Sequence, residues 1–142
     1  MGRFRFVEEV AIADCAVDLE GRDLDDLFET AATALAHLMV DPETVAATVE
    51  HTIALEAPAL DALLFDWLSE LIFLKDRDGL VFTATRARVE GSGPYRLHAR
   101  ATGGPIDPER TALGADPKAV TFHQFTLGQG PDSWRARVVI DI

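Results

Sequence analysis

Trp134-Arg135-Ala136-Arg137-Val138-Val139-Ile140-Asp141-Ile142 decides the fold, because a stretch this apolar at a chain end escapes water only by pairing into a sheet. Strand side chains have period two. Trp134, Ala136, Val138, Ile140 and Ile142 therefore share one face, and Arg135, Arg137, Val139 and Asp141 take the other. Asp141 stands opposite the core, one residue from the final α-carboxylate. Two oxygen groups held side by side in this way attract a hard cation.

Working outward, residues 118–127 form a preceding strand, joined to the last one around Gly128-Gln129-Gly130-Pro131-Asp132. Gly91-Ser92-Gly93-Pro94 suits a hairpin turn between antiparallel strands at about 80–90 and 95–102. Thr102 to Asp116 holds three Gly and two Pro and reads as a long loop, a candidate working surface. Nearer the start, 3–12 and 14–20 carry strand-like runs closed by Gly21. Asp23 then caps a helix whose apolar positions, Leu24, Leu27, Phe28, Ala31, Leu35, Leu38 and Met39, recur at helical spacing. Asp41-Pro42 stops it. A strand over 45–56 leads to a second helix, marked by Leu60, Leu63, Leu64, Trp67, Leu68, Leu71 and Ile72 and ending near Lys75-Asp76. Phe65 and Phe73 lie outside its main stripe, so this helix is either buried on several sides or offers a surface to a partner. The order is ββαβαββββ: a single α+β domain over residues 1–142, with two helices packed on largely antiparallel β-sheet.

Composition narrows the function. The chain has 142 residues, 48% of them apolar and 26% charged, and no run reaches the length of a membrane span. The net charge of −11 argues against direct, electrostatically driven nucleic-acid binding, which needs clustered basic residues. A basic partner or a cation fits better. Glu8 and Glu9 interrupt any apolar leader, and the single cysteine, Cys15, suits a reducing compartment. A cytoplasmic protein is expected.

Asp14 interrupts an apolar segment and needs a partner. Asp18 shares its strand face but lies about 13 Å away, too far for the two to hold one ion. Asp14 either joins Asp141 in a cation site or forms a turn between the first two strands. Asp141 either ligates, pairs with Arg135 or Arg137, or is a solvated edge residue. Zinc is excluded by the lack of soft ligands, since Cys15 points away from Asp14. His123 alternates with Thr121 and Phe125 along its strand and is either a general base or a structural histidine; no nucleophile motif accompanies it.

Several stretches together resemble the archease family. They are Ala13-Asp14, Gly21-Arg22-Asp23-Leu24-Asp25-Asp26-Leu27-Phe28, Met39-Val40-Asp41-Pro42 and Leu63-Leu64-Phe65-Asp66-Trp67-Leu68-Ser69-Glu70-Leu71. Further on come Gly104-Pro105-Ile106-Asp107-Pro108-Glu109-Arg110, Lys118-Ala119-Val120-Thr121-Phe122-His123 and the ending Ala136 to Ile142. The resemblance implies an accessory protein, not itself an enzyme, that serves the GTP- and manganese-dependent tRNA-splicing RNA ligase. It would promote guanylylation of the ligase histidine, relieve a one-turnover limit and broaden nucleotide use. It also implies a calcium-type metal site built from Asp14, Asp141 and Ile142. One departure stands out: the family's His-x-Ala-Asp histidine is Ala11 here. A general chaperone-like binding module and a metal-dependent hydrolase using Asp14, Asp141 and His123 are the competing readings.

Overall fold

The computed structural model describes residues 2–11 and 14–142. Strands β1 (Arg3–Ala11) and β2 (Asp14–Gly21) precede helix α1 (Leu24–Met39). A short 3-10 turn, Pro42–Thr44, leads to β3 (Val49–Ala57) and helix α2 (Leu60–Asp78). The chain then runs through β4 (Leu80–Gly91), β5 (Tyr95–Pro105), β6 (Ala119–Gln129) and β7 (Trp134–Asp141). This is the expected order. The strands divide between two sheets, four strands ordered β1-β2-β7-β6 and three ordered β3-β5-β4. Every pairing is antiparallel.

Asp23 caps α1, its carboxylate accepting the Asp26 amide at 2.8 Å, and Asp25 and Asp26 complement the positive helix end. Leu27, Phe28, Ala31 and Leu35 form its fully buried stripe, and Ala32, Ala34 and Ala36 let neighbouring elements approach closely. On α2 the corresponding anchors are Leu63, Leu64, Trp67 and Leu68. Each large side chain so buried contributes roughly 1.5–3 kcal/mol of transfer free energy. The helices are tied where the Trp67 indole donates to the Phe28 carbonyl at 2.9 Å. Val17, Leu19, Val81, Leu97, Val138 and Ile140, from both sheets, join them in one continuous core.

Helix α1 also closes a sheet edge. Its Glu29 and Asp25 carboxylates accept the Ala87 and Val89 amides of β4, each at 2.8 Å. Those amides face away from β5 and would otherwise be open to another strand.

Three boundaries depart most from expectation, and a fourth cannot be compared. The strand read from 45 starts at Val49: Val45 closes the 3-10 turn that Asp41 caps, its amide donating to the Pro42 carbonyl, and the chain joins the sheet only where the Thr48 amide reaches the Gly103 carbonyl. Helix α2 runs past Lys75-Asp76 to Asp78 and ends where Gly79 takes the left-handed conformation, φ 66°. The loop read from Thr102 begins only after Pro105, since Gly103 and Gly104 belong to β5. A Cβ at Gly103 would stand 1.9 Å from the Val81 carbonyl oxygen, so close approach to β4, not a turn, explains that glycine. The remaining loop is fastened down. Leu38 and Met39 carbonyls at the end of α1 accept the Ala115 and Gly114 amides, and the buried Lys75 ammonium holds Asp116 and the Pro117 carbonyl. Finally, the first strand was read to Ile12; Ile12 and Ala13 lie outside the described residues.

Candidate functional site

The face of the four-stranded sheet turned away from the core carries the candidate site. Strands β2 and β7 pair without a register shift from Gly21↔Trp134 to Asp14↔Asp141. The expected partners therefore stand directly opposite each other, where Cβ atoms are about 5 Å apart. Asp14 begins β2 and belongs to the ladder, with Ala11 of β1 and Asp141 of β7 as its register partners; the connection between β1 and β2 lies outside the described residues. Both carboxylates are partly exposed. Ile142 follows β7 with its side chain packed on the core, leaving its main-chain oxygens at the same end of the sheet as Asp141. On the far side of β7, Ala119 is the register partner of Asp141, and the Lys118 amide donates to the Asp141 carbonyl at 2.7 Å. Across β1 the partner of Asp14 is Ala11.

The row is thus alanine, aspartate, aspartate, alanine. Among the described residues no basic side chain forms an ion pair with either aspartate. Asp141 does not use Arg135 or Arg137, because those arginines are committed elsewhere. Arg137 donates from Nε and Nη2 to Asp18 at 2.6 and 2.9 Å, and Arg135 lies 3.2 Å from Glu20. Arg5 adds a bond to Asp18 at 3.1 Å, and Arg3 pairs with Glu20. The Arg137 guanidinium holds the Asp18 carboxyl below its ordinary range, with Arg5 helping against partial burial. Arg3 does the same to Glu20.

Two directly opposed carboxylates without a counter-charge repel each other. A hard divalent cation that takes oxygen ligands removes that repulsion, so the donor set fits calcium better than a soft metal. Among the described residues no three His, Cys, Asp or Glu side chains gather into a metal-holding group. Two carboxylates are what the side chains supply here, and a cation would need main-chain oxygen and water for the rest of its ligands. His123 does not join them. It lies where β6 leaves the ladder: between Thr121↔Val139 and Thr126↔Arg137, residues Phe122, His123, Gln124 and Phe125 face Val138 alone. Gln124 takes a left-handed φ of 54° to make this possible. The simple alternation expected for His123 with Thr121 and Phe125 is therefore broken, and the imidazole is exposed.

The bulge throws out a second feature. Phe122, 58% exposed, stacks on Phe65 of α2 with ring centroids 4.2 Å apart, and Phe125 packs tilted against both. Phe65 fell outside the helical stripe because it serves this aromatic cluster. Phe73 remains 49% exposed, with the Arg77 guanidinium 4.9 Å over its ring. Cys15 packs against the core, and burial raises its thiol pKa. Among the described residues no helix is long and apolar enough to cross a membrane.

The chain is similar to known proteins over nearly its whole length. The protein archease of Methanosarcina mazei is 34% identical over 142 residues, covering 99% of this chain and 96% of that one. That of Pyrococcus furiosus is 35% identical over 132 residues, covering 92% and 93%. The solution structure of Methanobacterium thermoautotrophicum protein 1598 superimposes with a TM-score of 0.80 at 29% identity and 98% coverage of both chains. A crystal structure from Thermotoga maritima, described as an archease and possible chaperone, shares the fold with a TM-score of 0.64 at 20% identity. Residues 4–142 match the Archease protein family (MTH1598/TM1083), and to that family the chain belongs.

Proposed function

We propose that this protein activates a GTP-dependent tRNA-splicing RNA ligase in the cytoplasm, promoting ligase guanylylation and repeated turnover without itself being an enzyme. The observation that carries the reading is the uncompensated Asp14–Asp141 row in a chain of this family. Asp14 and Asp141 would hold a calcium-type cation with side-chain oxygens, and Ile142 would add main-chain oxygen. When bound, the ion supplies positive charge and exchangeable coordination positions at an otherwise acidic sheet end. The chain's own part is to fix both carboxylates in register on a rigid strand pair, so that the site meets the partner without reorganising.

The test mixes the chain in substoichiometric amounts with its cognate ligase, GTP and RNA ends. Turnover should rise severalfold, and Asp141→Asn should remove the rise. Unchanged turnover with an active ligase would refute the activator role.

A chaperone-like binding role has one observation in its favour, the exposed rings of Phe73 on α2 and of Phe122 on the neighbouring β6. Suppression of aggregation of unrelated client proteins at similar doses would support it, and action confined to the ligase would exclude it. The hydrolase reading loses ground with the separation of His123 from the aspartates.

A further inference from the structure

We propose that the arginine rows at the other end of this sheet face bind the phosphodiester backbone of an RNA strand. Arg3 and Arg5 on β1 and Arg135 and Arg137 on β7 flank Glu20 and Asp18 of β2 from both sides. Together they line an open groove of about 500 Å³, with Thr126 of β6 at its margin. Four guanidinium groups here meet two carboxylates, whereas the whole chain has 24 acidic and 13 basic residues. The net charge that argued against nucleic acid is thus reversed on this patch.

The two carboxylates aim the arginines without exhausting them. Asp18 takes two N–H groups of Arg137 and one of Arg5, while each guanidinium has five to give. Side chains of Arg3, Arg5 and Arg135 remain 79%, 75% and 73% exposed, so their other donors reach the groove. A planar guanidinium fork matches phosphate oxygens in pairs. Residues two apart on a strand are about 6.7 Å apart, and β1 and β7, on either side of β2, about 10 Å. Four points in a rectangle of that size suit regularly spaced charges along a chain better than one small anion. The choice of RNA rests on the ligase reading: the acidic row lies on the same face, about 13 Å from Arg137 along β7. RNA ends presented to a ligase near Asp141 would run over the arginines.

The experiment is fluorescence anisotropy of a labelled single-stranded RNA oligonucleotide with the full chain, titrated from low to moderate salt. Binding should weaken with salt, by about −0.7 in log–log slope per phosphate contact. The double variant Arg3→Gln/Arg135→Gln should bind at least tenfold more weakly and lose about 1.4 from the slope. Glu20→Gln, which frees both arginines, should tighten binding, a gain that a purely structural ion network would not give. No binding by wild type at low salt, equal binding by the double variant, or tighter capture of a polyglutamate peptide would each overturn the proposal. Ligase turnover assayed on the same proteins separates the two readings. RNA binding without stimulation leaves this proposal standing and breaks the activator role; stimulation without RNA binding does the reverse.

Discussion

Two rows on one sheet face differ in what flanks the aspartate of β2. In the first, Arg5, Asp18 and Arg137 lie across β1, β2 and β7; in the second, Ala11, Asp14 and Asp141 occupy the same three strands. The β2–β7 pairing is the same, and all the aspartates are partly exposed. Yet Asp18 is held by three hydrogen bonds from two arginines, while among the described residues Asp14 has no basic partner and stands opposite another carboxylate. Between them Ala16 and Val139 pair opposite each other and are fully buried, so the rows do not compensate each other. A fold that neutralises one carboxylate twice over and leaves the next pair bare separates structural charge from charge available to a ligand. The same substitution, Asp→Asn, should act in opposite senses at the two rows.

The largest expected effect is on the ion. Asp141→Asn should weaken calcium binding, measured by calorimetry, by at least about tenfold, because even outer-shell partners are worth about ten- to a hundredfold. Asp18→Asn should leave calcium affinity within about twofold. Equal losses at both positions would erase the distinction between the rows, and undiminished binding in Asp141→Asn would move the site elsewhere.

Stability should show the complementary pattern. Asp18 loses its bonds from Arg137 and Arg5 when replaced by asparagine, and at its partial exposure this costs about 1 kcal/mol at neutral pH. The arginines lower the folded-state pKa of Asp18, with the bond from Arg137 the leading cause. The carboxylate therefore contributes its full stability above the unfolded value of about 3.9, and loses it as pH falls through the lower folded value. Thermal melts of wild type and Asp18→Asn should differ at pH 7 and converge below about pH 4. A difference that persists in acid would mean packing, not the ion pair, holds this row.

The contrast was only half legible in the sequence. Strand alternation put Asp141 opposite the core and kept Asp14 and Asp18 apart, because the period of two is local and exact. Alternation cannot state which strand lies beside which, so neither the Asp14↔Asp141 register nor the pairing of Arg135 and Arg137 with β2 could be read. Both arise from residues more than a hundred positions apart. The helices were clearer, with Asp23 and Asp41-Pro42 marking the ends of α1, since capping chemistry acts within one turn. The β6 bulge left a fainter trace. Phe122 and Phe125 stand three apart, an odd spacing that a regular strand would put on opposite faces, and with the unexplained Phe65 on α2 it is the trace of the aromatic stacking that pulls this segment out of its ladder. Gly103 misled for a related reason, as close approach to β4 and a turn both call for glycine.

The smallest effect is the most discriminating in sign. With calcium chelated, Asp14→Asn removes one of two like charges placed directly opposite each other, an arrangement that costs a few tenths of a kcal/mol to about 1 kcal/mol. The variant should therefore melt slightly higher than wild type, by a degree or two, where Asp18→Asn melts lower. Added calcium that binds only the folded state stabilises it in proportion to the logarithm of one plus the ratio of calcium concentration to Kd, so wild type should rise with calcium concentration while Asp14→Asn stays level. The two melting curves should then cross at a calcium concentration near the binding constant. Parallel curves, or a destabilised Asp14→Asn in chelator, would show that the bare row is held by interactions other than a cation.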